Sequence, residues 1–252
     1  MKQSLRHKKI IELIKQKGYL SIEELVNILS VSPQTIRRDL NELAENNLIT
    51  RHHGGATSLS TSENSDYSER QHFFSSEKRR IGQEVAKIIP NGSSLFIDIG
   101  TTPEAVAKAL LDHQNLRIVT NNLNAAYILM QNKTFDITMA SGSLRQDGGI
   151  IGEATIAFIG QFRLDFGILG ISSIDLDGSL LDYDYHKVQV KRAIMESSRN
   201  TILVTDHSKF TRRAMVYLGS LTEVDYLFTD TTPPDSMLSL IHSNNVKLHI
   251  CQ

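Results

Sequence analysis

Ser30-Val31-Ser32-Pro33-Gln34-Thr35-Ile36-Arg37-Arg38-Asp39-Leu40-Asn41-Glu42-Leu43 is the stretch from which the organisation of this 252-residue chain can be worked out. Ser30–Pro33 is a tight break. Ser32 suits a helix N-cap, because its hydroxyl accepts from a free amide of the first turn, and Pro33 suits the first helical position, where its missing N–H costs nothing. Ile36, Leu40 and Leu43 recur at i, i+4 and i+7. A helix with that spacing buries one stripe and turns Gln34, Thr35, Arg37, Arg38 and Asn41 outward.

Upstream, Leu5, Ile10, Ile11, Leu13 and Ile14 lie close to helical spacing among Lys and Gln, and Gly18 ends that segment. Ser21 with Glu24 three residues on is a capping box, so a second helix opens there with Leu25, Val26, Ile28 and Leu29 on one side. Downstream, 48–56 reads as an extended stretch ending in Gly54-Gly55, a hairpin whose tip needs positive φ. Three helices with a break before the third, followed by a hairpin, match a winged helix-turn-helix, whose third helix enters the major groove of DNA. Arg37 and Arg38 can pair with guanine edges or phosphates, Gln34 can read adenine, Ser32 and Thr35 can hold phosphate, and Arg51, His52 and His53 would serve the wing. Residues 1–58 carry nine Lys/Arg against six Asp/Glu and the remainder eighteen against twenty-two, a head of +3 on a body of −4. A polyanion is met by the basic end.

Residues 57–76 hold seven serines and little apolar material. The expected division is a winged helix-turn-helix over 1–57, a linker over 58–76 and an α/β domain over 77–252. In the last, apolar runs at Leu95–Ile99, Leu116–Thr120, Phe135–Ala140, Phe166–Ile171, Thr201–Thr205, Tyr226–Thr229 and Val246–Ile250 alternate with helical patterns. Such alternation predicts a mostly parallel, Rossmann-like sheet with helices on both faces. Ligands of such sheets sit beyond the C-terminal strand ends. After the strand Leu95–Asp98, the turn Ile99–Glu104 leads into a helix over Ala105–Leu111 and points free amides and the hydroxyls of Thr101 and Thr102 at one spot, beside Asp98 and Gly100, where the helix dipole favours an anion. Asn121, Asn122, Gly142, Arg145, Gly152 and Lys209 lie in other strand-end loops that can converge there, with Lys209 neutralising a phosphate. The residues themselves specify only a small phosphorylated polyol or sugar.

No apolar run approaches the 18–20 residues or so of a membrane span, no signal peptide follows the basic N-terminus, and the single cysteine, Cys251, sits at what reads as a frayed C-terminus. A cytoplasmic protein without disulfides is expected. The histidines are scattered, so neither metal nor cofactor is expected. A sugar-phosphate isomerase using Glu153, Asp175, Asp177, Asp182 or Asp184 as general base is the alternative to a binding role, although Asp175-Leu176-Asp177-Gly178 also reads as a polar turn.

The run from Val31 to Leu43, continued by Arg51-His52-His53-Gly54-Gly55-Ala56, resembles the signature of the DeoR family of bacterial repressors; Asn47 departs from it, standing where the family commonly has Gly. The later part of the chain is similar to that family's sensor domain, itself similar in fold to ribose-5-phosphate isomerase; there Asp98–Thr102 and Asp206–Lys209 match its phosphate and sugar motifs, and Ser141 departs from a usual Gly-Gly pair. The segments 98–107, 148–155 and 162–171 resemble the branch that governs glycerol catabolism, which implies glycerol 3-phosphate as effector. The resemblance implies a transcriptional repressor and not an enzyme, released from double-stranded operator DNA by its effector. A homodimer or homotetramer on palindromic sites is expected, because helix-turn-helix proteins usually need two half-sites.

Overall fold

A short helix with one apolar stripe gains little by itself and persists by closing that stripe against others. The computed structural model describes residues 3–17, 19–46, 48–52, 54–58, 67–210 and 212–252, which divide into two units, Met1–Phe73 and Phe74–Gln252.

The first unit comprises α1 (Gln3–Lys17), β1 (Tyr19–Ser21), α2 (Ile22–Leu29), α3 (Pro33–Glu45), β2 (Ile49–His52), β3 (Gly55–Ser58) and α4 (Tyr67–His72). The Ser21–Glu24 capping box opens α2, and Ser30, in the left-handed region at φ 52°, closes it. Ser32 caps α3 as expected, its hydroxyl accepting from the Thr35 amide, with Pro33 in the first turn. Ile10 and Ile14 of α1, Leu25 of α2 and Ile36, Leu40 and Leu43 of α3 meet Leu20, Ile49 and Ala56 in one core. The strands form an antiparallel sheet in the order β1-β3-β2, so the hairpin is tied back to the helices through β1. The expected reason for Gly54-Gly55 is corrected: neither residue has positive φ. Gly55 is required by close approach, since a Cβ there would stand 2.2 Å from the Leu20 carbonyl oxygen.

The stripe of α3 also contains Asp39, 1% exposed. Its Oδ1 accepts from Arg6 NH2 of α1 at 2.9 Å and meets His7 Nε2 at 3.0 Å, while Arg6 Nε donates to Oδ2. Burial pushes the Asp39 carboxyl up, but the hydrogen bonds from Arg6 and His7 outweigh it and hold the group below the usual carboxylate range.

In the second unit α5 (Ser75–Ile88), β4 (Ser94–Ile97), α6 (Thr101–Ala109), β5 (Arg117–Thr120), α7 (Leu123–Leu129), β6 (Asp136–Met139), β7 (Ser143–Leu144), β8 (Ile150–Ile151), α8 (Glu153–Ile159), β9 (Leu164–Gly170), β10 (Ser173–Ile174), β11 (Ser179–Asp182), α9 (Tyr185–Ser197), β12 (Ser198–Val204), β13 (Val216–Ser220), β14 (Tyr226–Thr229), α10 (Asp235–Ser243) and β15 (Lys247–Ile250) follow in order. Both α4 and the start of α5 fall within 58–76, the segment read from composition as a linker. All seven anticipated strands join one parallel sheet, ordered β15-β14-β12-β9-β4-β5-β6. Alternate residues feed opposite faces. Leu95, Ile97, Ile168, Ile202 and Val204 pack with Ile81 and Val85 of α5 and Val106 of α6, whereas Phe96, Leu169 and Leu203 pack with Ile159 of α8, Ile194 of α9 and Ile241 of α10. Helices cover both faces, and the central strands β4, β9, β12 and β14 are largely buried, whereas the edge strands β6 and β15 carry the exposed Asp136 and Lys247. A smaller antiparallel sheet, β10-β11-β13, and the β7-β8 hairpin complete the unit.

Two sequence expectations need correction. The helix after Asp98 begins at Thr101, not Ala105, and a 3-10 turn, Leu110–Asp112, ends it. Cys251 is 1% exposed, with its amide bonded to the Thr229 carbonyl at 2.7 Å, because β15 runs into it; burial pushes its thiol up to about 12. Among the described residues no helix is long and apolar enough to cross a membrane.

Removing the carboxylate while leaving Arg6 in place should be costly. Asp39→Asn is expected to lower the stability of the first unit by about 3 kcal/mol, read from hydrogen exchange of α3 amides in the full chain. The deficit should be constant above the ordinary carboxylate value, about pH 4, and should narrow as the pH falls through the depressed pKa of Asp39, where the parent loses the same contribution. Equal protection in the two proteins at neutral pH would show that the pair does not hold α1 to α3.

Candidate functional site

On α3 the side chains of Gln34, Arg37, Arg38 and Asn41 are exposed and Thr35 is half-buried, as the spacing predicts. Arg38 approaches Glu42 one turn on at 3.3 Å with 79% of its side chain in solvent. A pair that exposed holds weakly, so the guanidinium can change partners readily. Ser32 Oγ and Thr35 Oγ1 are 2.9 Å apart at the start of α3, where the helix dipole favours phosphate. Arg51 lies in the wing strand β2, where its guanidinium donates to Asn41 Oδ1 at 2.8 Å and to the Gly55 carbonyl at 3.2 Å, bracing β2 against α3. His53 and the side chain of His52 lie outside the described residues.

Strand order locates the second candidate. From β4 the chain moves one way through β5 to β6, then returns to β9 on the other side of β4 and continues through β12, β14 and β15. The order reverses between β4 and β9, and ligands of open α/β sheets bind in the crevice beyond such a point. Asp98 and Gly170 stand at its two lips. Lys191 of α9, 3% exposed, donates to Asp98 Oδ2 and to the Gly170 carbonyl at 2.8 Å, with Asp182 Oδ2 at 3.9 Å. Burial pushes the Asp98 carboxyl above its ordinary range, opposed by the Lys191 ammonium. Sequence reasoning missed Lys191, Asp182 as its neighbour and Asp39. The available signal was a charged residue on an apolar helix stripe, Lys191 among Val188, Val190 and Ile194, and Asp39 between Ile36 and Leu40.

Gly100, at φ 143°, caps α6 without a side chain, and Thr101 and Thr102 form its first turn. Amides and hydroxyls at a nine-residue helix start suit an anion. On the adjoining strand, Asn122 is consumed structurally. Its Oδ1 caps α7 at the amides of Asn124 and Ala125, and its Nδ2 donates to the Asp98 carbonyl at 3.2 Å and to Glu104 Oε1 at 3.3 Å. Asn121 Nδ2 donates to the Ile150 carbonyl at 3.1 Å, while its Oδ1 is buried with no partner among the described residues. That oxygen can accept from a ligand hydroxyl. Gly142 (φ 144°) serves packing, since a Cβ would stand 2.1 Å from Thr155 Oγ1, whereas Gly152 starts α8 facing open space. Arg145 is paired with Asp184 at 2.9 Å.

Lys209 ends a 3-10 turn, His207–Lys209, beyond β12, which is two strands from β4 in the sheet. Asp206, 1% exposed, caps that turn; burial raises its carboxyl, and the positive charges of Lys209 and Lys78 outweigh this and lower it. Gly100, Asn121, Gly170 and Lys209 thus lie at or beyond the ends of β4, β5, β9 and β12, all parallel strands of one sheet. The carboxylates of the isomerase alternative are dispersed: Asp184 caps α9, the Asp175–Gly178 segment is a hydrogen-bonded turn, and Asp182 sits beside Lys191. Among the described residues no group of three or more His, Cys, Asp and Glu is placed to hold a metal.

A family model described as the DeoR C terminal sensor domain matches residues 74–231, and one described as the DeoR-like helix-turn-helix domain matches residues 6–62. The glycerol-3-phosphate regulon repressor of Haemophilus influenzae is 70% identical over 100% of this chain and 98% of its own length. The protein of the same name from Escherichia coli K12 is 62% identical over 100% of both. Among solved structures, ribose 5 phosphate isomerase A from Neisseria gonorrhoeae is similar over 54% of this chain and 53% of that one, at 14% identity and a TM-score of 0.39.

Lys191→Met should leave Asp98 buried without its counter-charge and lower the stability of the second unit by about 3 kcal/mol, a fall of roughly 6–12 °C in thermal midpoint for a domain of this size. Lys191→Met with Asp98→Leu should recover most of it, because the pair is then replaced by apolar surface. A single variant that melts with the parent would deny Lys191 its part in closing the lips.

Proposed function

Because the chain belongs to the DeoR family, we propose that it represses transcription by holding operator DNA with α3 and the β2-β3 hairpin, and that glycerol 3-phosphate in the β4/β9 crevice releases it. The chain is a DNA-binding transcriptional repressor rather than an enzyme: its full-length relatives are named repressors, and both of its units match models of that family. The observation that carries the DNA-facing half is the exposure of Arg37 and Arg38 on a helix anchored from behind by Asp39 and Arg6. A cation on a fixed helix meets a base edge or phosphate with no further backbone ordering, only the side chain losing rotamer freedom. Gln34, Arg37 and Arg38 read bases, Ser32 and Thr35 hold phosphate at the helix start, and Arg51, His52 and His53 seat the wing, Arg51 chiefly by bracing it.

The effector half rests on the α6 N-terminus as the phosphate seat, assisted by Lys209, with Asp98 and Asn121 facing the hydroxyls. Thr101, Thr102, Gly100 and Gly152 contribute backbone amides or room, and Asn122, Gly142 and Arg145 hold the walls. The identity of the polyol comes from the names of the relatives. The repressor needs no cofactor, works as a dimer or tetramer on palindromic half-sites, and acts in the cytoplasm.

Operator titrations by fluorescence anisotropy test both halves. Glycerol 3-phosphate should weaken operator binding by about 5- to 150-fold, and an unchanged dissociation constant would reject it as effector. Arg38→Ala should weaken operator binding by about 1–3 kcal/mol if it contacts a base and leave effector affinity intact. A variant that binds operator like the parent would remove Arg38 from the interface.

A further inference from the structure

The turn that carries Lys209 is tied to the place where the chain enters the second unit. Phe74 is that unit's first residue and the N-cap of α5, and it is one of four non-glycine residues with positive φ among those described, at φ 52° and ψ 38°. An L-residue with a large side chain is disfavoured in the left-handed region and stays there only while surrounding contacts over-determine it. One such contact is visible: the Phe74 ring meets the His207 ring edge-on, centroids 4.6 Å apart at 73°. His207 is itself held by Asp230, which accepts from its amide at 2.7 Å and meets its Nδ1 at 2.6 Å. The same first turn of α5 carries Glu77 and Lys78, whose charges act on His207 and Asp206 respectively, and Lys78 is 5% exposed. Phe74, Glu77 and Lys78 thus face the turn whose last residue is Lys209, and a single residue, Phe73, separates Phe74 from the end of α4.

We propose that effector capture by the Asp206–Lys209 turn is relayed to the DNA-binding unit through the contact of His207 with Phe74, whose left-handed backbone is the hinge of the connecting chain. This rests on reading the crevice as the effector site. Drawing Lys209 toward a phosphate displaces His207, removes the edge contact that favours the left-handed conformer, and lets Phe74 relax into the broad right-handed or extended regions. That redirects the chain leading from α4 into α5. Two backbone conformers of one residue form the kind of discrete element that coupling between sites requires.

The test uses the full chain and three variants: Phe74→Ala, Phe74→Gly, which accepts the left-handed conformation without penalty and so guards against loss of folding, and Phe74→Tyr, which keeps the ring. Calorimetry measures glycerol 3-phosphate binding to the DNA-free protein, and anisotropy measures operator affinity with and without saturating glycerol 3-phosphate. In Phe74→Ala and Phe74→Gly both ligands should bind within about 3-fold of the parent, while the effect of one on the other, about 10-fold or more in the parent, shrinks below about 3-fold. Phe74→Tyr should restore it. A parent that responds together with Ala and Gly variants that respond equally would overturn the relay alone. A parent that neither binds glycerol 3-phosphate nor responds to it would overturn the effector reading, and the relay with it.

Discussion

Parallel pairing of β4 with β9 joins two halves of a sheet whose strand order runs in opposite directions from that line. Because parallel strands all end on the same edge, the turns after β4, β5, β9 and β12 are gathered on one side although Asp98 and Asp206 are 108 positions apart in the chain. Nothing local brings them together. The sheet survives as a layer because Phe96, Leu169 and Leu203 go to one face while Leu95, Ile97, Ile168, Ile202 and Val204 go to the other. Both faces are then sealed by helices, and only the strand ends remain for polar chemistry.

Each unit holds a buried ion pair behind the surface proposed for it. In the first, Asp39 and Arg6 lock α3 to α1 on the face opposite Arg37 and Arg38. In the second, Lys191 spans from Asp98 to the Gly170 carbonyl, across the line where the strand order reverses. Such pairs add little net stability over well-packed apolar residues, because desolvation offsets most of the attraction. Their effect is directional. An apolar contact tolerates sliding, whereas Asp39, bonded at both oxygens, and Lys191, bonded to both the Asp98 carboxylate and the Gly170 carbonyl, fix the angle and register of the helices that carry them.

Much of the first unit was legible in order along the chain. Ser21 with Glu24, Ser32 with Pro33, and the Ile36–Leu43 stripe set the helix starts and the buried side, since caps and periodicity act within one turn. Gly54-Gly55 was recognised as a turn for the wrong reason. Positive φ is a local property, but the demand on Gly55 comes from the Leu20 carbonyl across the sheet. All seven apolar runs became strands, yet the order of the central ones was not readable, because similar apolar composition suits any interior place in a sheet covered on both faces.

What the amino-acid sequence determined by itself was therefore the local vocabulary: which segments are helix or strand, which end is basic, and which loops are rich in Gly, Thr and Asn. Caps, spacing and charge act over a few residues and need no partner from elsewhere. Only the tertiary structure decided which of those loops follow neighbouring strands of the sheet, that Lys191 joins Asp98 to Gly170, that Asn122 is spent on capping α7, that Arg51 braces the wing, and that Cys251 is buried. Those outcomes depend on strand order and on what lies across a layer, and both are set by contacts between residues far apart in the chain.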